Sequence, residues 1–172
     1  MRFEGRCFRG HDPVWSFSPV SGEGAAITGG RFNRKGEPTL YLALDIMTAV
    51  SECTQGFSHR LQPLTMCEYD VDCTEVADLR DEDGRKQHGV ELADLACGWM
   101  TCLRDRREAP SWLVADKLRK EDFCGILVPS FAPGAPASHH NLVLWRWGPD
   151  LPHKVAVYDP SGRLPKDQTS WT

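Results

Sequence analysis

The sequence predicts an α+β fold, a mixed or antiparallel β-sheet core with flanking helices. Three observations carry the prediction. Short apolar or alternating runs recur from one end of the chain to the other, segments of helical spacing fall between them, and neither a repeat nor a linker divides the 172 residues. Residues 1–172 therefore read as a single domain, and 41% hydrophobic residues suffice for a full core at that length.

Arg2–Arg9 reads as the first strand, with Phe3, Cys7 and Phe8 available to the core. Arg9, at its end, suits either a ligand phosphate or plain solvent. From His11 to Gly30 the chain is rich in Pro, Ser and Gly and reads as mostly loop, its Trp15 and Phe17 serving as a pocket wall or as pins to the core. Gly29-Gly30-Arg31 then opens the most distinctive stretch. The glycines allow positive φ and close approach to a ligand, and the arginine fork suits a phosphate or carboxylate. Leu40–Leu44 reads as a strand, and Asp45 caps a helix whose Ala49, Val50 and Cys53 mark its apolar face and which carries Glu52.

Gly56 and Pro63 bracket a connector holding His59 and Arg60. Leu64–Cys73 alternates as a half-buried strand whose polar face, Glu68, Asp70 and Asp72, lacks the loop glycine and further ligands of a cation site. Asp78–Gly89 is the most hydrophilic run and reads as an exposed loop. Two helices follow, Val90–Leu103 with Leu92, Leu95, Ala96 and Trp99 inward, and one from Ser111 as cap, with Leu113, Val114 and Leu118 inward. Gly125–Ser130 is a buried strand ending at Pro129, which sets Ser130 where the chain leaves the sheet. Ser130 lies in no nucleophile elbow, so its role is hydrogen bonding. Strands at Asn141–Trp147 and Lys154–Tyr158 complete the set, with His139 and His140 at a pocket mouth or idle on the surface; Trp145, Trp147 and Trp171 serve the core or an interface.

Charge narrows the function. With 20 Lys+Arg against 24 Asp+Glu the chain has a formal net charge of −4, and no basic field draws in nucleic acid. No apolar run has membrane-spanning length and the first ten residues lack a signal-peptide core, so a cytoplasmic protein without a membrane partner is expected. Seven cysteines with no Cys-x-x-Cys pair indicate neither zinc nor a disulfide framework.

Phe8-Arg9-Gly10, Gly29-Gly30-Arg31-Phe32-Asn33, Tyr41-Leu42-Ala43, Glu52, Val128-Pro129-Ser130 and His140-Asn141-Leu142-Val143, taken in order, resemble the RES-domain family, named for its arginine, glutamate and serine. The resemblance implies an ADP-ribosyltransferase-like fold of the diphtheria-toxin group and the toxin of a type II toxin–antitoxin pair. It implies NAD+ as substrate and no metal, with ADP-ribose passed to a protein, to phosphate or to water. It implies as partner an antitoxin with an Xre-like helix-turn-helix domain that blocks the cleft. Carried over by position, the functional residues are Arg9, Arg31, Tyr41, Glu52 and Ser130, with Asn141 as a further contact.

These residue types suit that chemistry. Nicotinamide in NAD+ is a cationic leaving group, so one carboxylate, Glu52, is enough to stabilise an oxocarbenium-like ribose and orient an acceptor. Tyr41 stacks on the nicotinamide ring, Arg31 and Arg9 hold the pyrophosphate, and Ser130 and Asn141 bond the ribose or the amide. Two other readings stay open: a non-catalytic nucleotide-binding or protein-interaction module, and an RNA-cleaving toxin, which the acidic balance disfavours.

Overall fold

The computed structural model describes residues 1–54 and 62–169. Gly56, His59, Arg60 and Trp171 lie outside them. The elements run β1 (Phe3–His11), a 3-10 turn (Pro13–Trp15), α1 (Glu23–Thr28), β2 (Leu40–Ala43), α2 (Ile46–Thr54), β3 (Thr65–Cys73), β4 (Val76–Asp78), α3 (Glu82–Gln87), α4 (Leu92–Leu95), α5 (Trp99–Arg104), α6 (Pro110–Lys120), β5 (Gly125–Pro129), β6 (His140–Leu144) and β7 (His153–Val157). The strands form one sheet in the order β4-β5-β6-β2-β1-β3-β7, antiparallel throughout except for the parallel β4–β5 pair. This is the expected α+β class, a mostly antiparallel seven-stranded sheet with flanking helices.

Alternation sorts the apolar residues onto two cores. Leu40, Leu42, Leu127, Leu142 and Leu144 join Cys7, Tyr69 and Val71 on one side, whereas Ile126, Val128 and Val143 meet Leu95, Val114 and Leu118 on the other. Strands β5 and β6 are thus buried on both faces, which rigidly fixes whatever their ends present. The acidic face of β3 is matched by β1: Asp72 receives a bidentate pair from Arg2 at 2.7 and 2.6 Å, and Glu68 lies 3.4 Å from Arg6. Among the described residues no cluster of His, Cys, Asp or Glu is arranged to hold a metal ion.

Several local readings need correction. The segment from His11 to Gly30 contains helix α1, and the hydrophilic run from Asp78 contains helix α3, because Asp81 accepts from Gly84 N at 2.7 Å and the acids Glu82 and Asp83 sit in its first turn. The single helix expected over Val90–Leu103 is split at Gly98 into α4 and α5, leaving Leu95 buried but Leu92 and Ala96 exposed. Ser111 is not the cap of α6: Ala109 holds that position with Pro110 in the first turn, and the Ser111 hydroxyl donates to Arg31 O at 2.5 Å instead. The inward residues of α6 are Trp112, Val114, Ala115 and Leu118, with Leu113 facing out.

Candidate active site

The turn after α1 is built around Gly30. A Cβ there would lie 2.5 Å from both Asn33 Oδ1 and the Tyr41 hydroxyl, so only glycine fits, while the preceding Gly29 takes φ 74° to end the helix. Buried Asn33 donates through Nδ2 to the carbonyls of Ala25, Arg34 and Glu37. Tyr41 donates its hydroxyl proton to Asn33 Oδ1 at 2.7 Å and accepts from Phe32 N at 3.0 Å. Burial raises the Tyr41 phenol above its ordinary range, so it stays protonated and structural at its polar tip. Its ring packs against the second core.

Three successive carbonyls of this turn are each tied to a distant element: Gly30 O to Trp112 Nε1, Arg31 O to Ser111 Oγ and Phe32 O to Trp145 Nε1. The Arg31 backbone is therefore fixed on both sides. Its guanidinium donates through Nη1 to Leu95 O at 3.0 Å and Cys97 O at 2.7 Å, and stacks 4.6 Å from the centre of the Phe131 ring. Burial lowers the Arg31 pKa, opposed by Cys97, Glu52 and Tyr41, yet a guanidinium stays charged. Phe131 went unmarked in the sequence, since nothing local predicts a contact across 100 positions.

Glu52 arrives on α2. Asp45 caps that helix, accepting from Thr48 N at 2.8 Å and from the Thr48 hydroxyl, and buried Ala49 faces the sheet. Beside Glu52, Cys53 donates to Gly10 O at 3.3 Å and so ties the helix to β1. Across the sheet Asn141 pairs with Ala43 on one side and Val128 on the other, and Ser130 follows the end of β5, its N–H bonded to His139 O. Both converge on one carboxylate oxygen: Ser130 Oγ and Asn141 Nδ2 each donate to Glu52 Oε1 at 2.6 Å, over 78 and 89 sequence positions. Asn141 Oδ1 is buried and has no partner among the described residues.

The structure thus brings Glu52, Ser130 and Asn141 into direct contact and sets Arg31 next to them through Phe131, which follows Ser130. Tyr41 joins through the Gly30–Asn33 turn. Arg9 stands apart. It follows Cys7 onto the side of the first core, where Tyr69, Cys53 and Cys67 are its electrostatic neighbours, Cys53 being the residue after Glu52, and its Nη1 donates to Pro19 O at 3.2 Å and Ser21 O at 2.8 Å. Trp15 stacks on Phe17 and lines a small cavity with Arg9. Trp145 and Trp147 are partly buried, packed against the two cores, and their indoles also bond carbonyls, Trp147 that of Val20. No helix of the described residues is long and apolar enough to cross a membrane.

Among solved structures the chain is similar to the one described as the crystal structure of the M. tuberculosis MbcT–MbcA toxin–antitoxin complex, with 19% identity, a TM-score of 0.60, and coverage of 92% of this chain and 84% of that chain. At that identity the likeness carries the fold alone. No curated protein sequence matches significantly. The family model described as the RES domain matches residues 6–167, nearly the whole chain, and the protein therefore belongs to the RES domain family.

Proposed function

We propose that this protein is the toxin of a toxin–antitoxin pair and that it cleaves NAD+, releasing nicotinamide and passing ADP-ribose to an acceptor. The observation that carries the reading is the single carboxylate of Glu52, clamped by Ser130 and Asn141 beside the half-buried cation of Arg31. Two donors hold Oε1, and Oε2 has no partner among the described residues, so it is the oxygen available to a ribose hydroxyl.

In the reaction the bond between C1′ and the pyridinium nitrogen breaks and its electron pair goes to that nitrogen, so nicotinamide leaves neutral. Positive charge passes to the ribose, where Glu52 stabilises it, and an acceptor then bonds C1′ and gives up its proton. Arg31 holds the pyrophosphate, with Arg9 as a second contact, and the Tyr41 ring supports the nicotinamide. The unpartnered Asn141 Oδ1 takes a hydrogen bond from the ribose or the carboxamide. Water, phosphate and a protein side chain are all competent acceptors. Membership of the RES family, and a solved structural relative that is itself a toxin–antitoxin complex, support an antitoxin partner for this chain; we assign it to the Xre-like helix-turn-helix kind that covers the cleft.

The test is incubation of the purified protein with labelled NAD+, with and without phosphate and cell lysate, followed by mass analysis of the products. Free nicotinamide with a matched ADP-ribosyl product is expected. Intact NAD+ under all conditions, from protein that arrests growth on expression, would overturn the reading.

A further inference from the structure

His11 is 9% exposed, and both of its ring nitrogens are buried without a hydrogen-bond partner among the described residues. Such an orphaned imidazole is costly unless something completes it. The ring lines a cavity of about 40 Å³ together with Arg9, Trp15, Ser18, Ser21 and Gly24. That volume holds a few waters or one tetrahedral oxyanion. Every polar side chain in the lining offers a donor, one of them a permanent cation, and none is a carboxylate. The nearest acid, Asp12, is turned to Val14 N, from which it accepts at 2.9 Å. Arg9 and Asp12 are the charged groups that act on His11.

We infer that this cavity is a binding site for a phosphoryl oxyanion, held by the Arg9 guanidinium and the His11 imidazole with the hydroxyls of Ser18 and Ser21. The oxyanion has two possible sources, free orthophosphate and a phosphoryl group of a dinucleotide. Only the second source rests on the proposed NAD+ reaction. Ser21 Oγ already accepts from Glu23 N at 3.1 Å, which leaves its proton for an anion.

The experiment follows the His11 ring resonance by NMR in the intact protein, with the His11→Gln variant identifying the signal, as orthophosphate, sulfate or chloride is added. An anion within contact distance favours the imidazolium, so phosphate is expected to raise the His11 titration midpoint by about one to three pH units, saturably, where chloride does not. Calorimetry on the unmodified protein should register the same binding, and His11→Ala, which removes the donor, should weaken it by about tenfold, the loss of one hydrogen bond to a charged group. Addition of a non-cleavable carbocyclic NAD+ analogue separates the sources: competition with orthophosphate assigns the cavity to the dinucleotide, and independent binding assigns it to free phosphate. An unmoved His11 resonance together with no heat from phosphate or the analogue would overturn the inference. Nicotinamide release is measured separately, so either conclusion can fail while the other stands.

Discussion

Asn141 meets Glu52 through its amide nitrogen, Nδ2 to Oε1 at 2.6 Å, and this settles the orientation of the whole amide. A carboxylate only accepts, so the nitrogen must face Glu52 and the oxygen must face away. Ser130 shares the same carboxylate oxygen, so its proton is committed to Glu52 and it serves as a donor rather than a nucleophile. From this arrangement several outcomes follow.

Glu52→Gln keeps an oxygen to accept from Ser130 and Asn141 but removes the charge that faces the ribose. Nicotinamide release should fall by about 10²-fold to 10³-fold or more, with NAD+ binding retained. Retained turnover would remove Glu52 from the reaction.

Asn141→Asp sets a second carboxylate against Glu52, and two such groups in contact hold one proton between them. A carboxyl group raised in the folded state withdraws stability as pH rises. The variant should therefore be closest to the parent in acid and lose about 1–3 kcal/mol towards neutral pH, read from denaturant midpoints across pH. A defect independent of pH would contradict the contact.

Gly30→Ala and Gly24→Ala test the turn against a neighbour of equal size. A methyl group at Gly30 collides with Asn33 and Tyr41, whereas at Gly24, within α1, it meets nothing inside 4 Å. The first should cost about 1–3 kcal/mol, and the second should stabilise by up to about 1 kcal/mol. Equal effects on the unfolding midpoint would refute the packing described.

Arg31→Lys removes the planar fork that reaches two carbonyls while stacking on Phe131. The phosphate contact assigned to it is made in ground and transition states alike, so KM should rise more than kcat falls. Steady-state nicotinamide release against NAD+ concentration checks this, and an unchanged KM would contradict the assignment.

His11 titrates at about 4 in the folded protein, first because it is buried and second because Arg9 lies beside it. Its pKa in the unfolded chain is about 6.5, so as pH falls the unfolded form takes the proton first. The stability it contributes is full above about pH 6.5 and is lost as pH falls towards 4, by on the order of 3 kcal/mol. His11→Gln should flatten that part of the pH–stability curve; identical slopes for the two proteins would refute it.

How far the sequence reached depends on the kind of signal. The alternation of β3 and the apolar runs of β2 and β5 are local, and these strands were readable within a residue or two. Asp45 was legible as a cap because its partner, Thr48, is three positions away. Helices α1 and α3 were missed because each is six residues long with no buried residue, so it leaves no apolar stripe. Ser111 looked like a cap by its type, but a hydroxyl bonds whatever carbonyl the fold supplies, here that of Arg31.

By itself the sequence determined the α+β class and the order of most strands and helices, because periodicity acts over a few positions; the list Arg9, Arg31, Tyr41, Glu52, Ser130 and Asn141 came instead from the resemblance of ordered motifs to the RES-domain family. Only the tertiary structure decided that Ser130 and Asn141 share one oxygen of Glu52, that Phe131 carries Arg31, that the Tyr41 hydroxyl is spent on Asn33, and that Arg9 and His11 line one small cavity. Those contacts depend on strand register and on which face each side chain takes, and they are fixed when the two cores pack against the sheet.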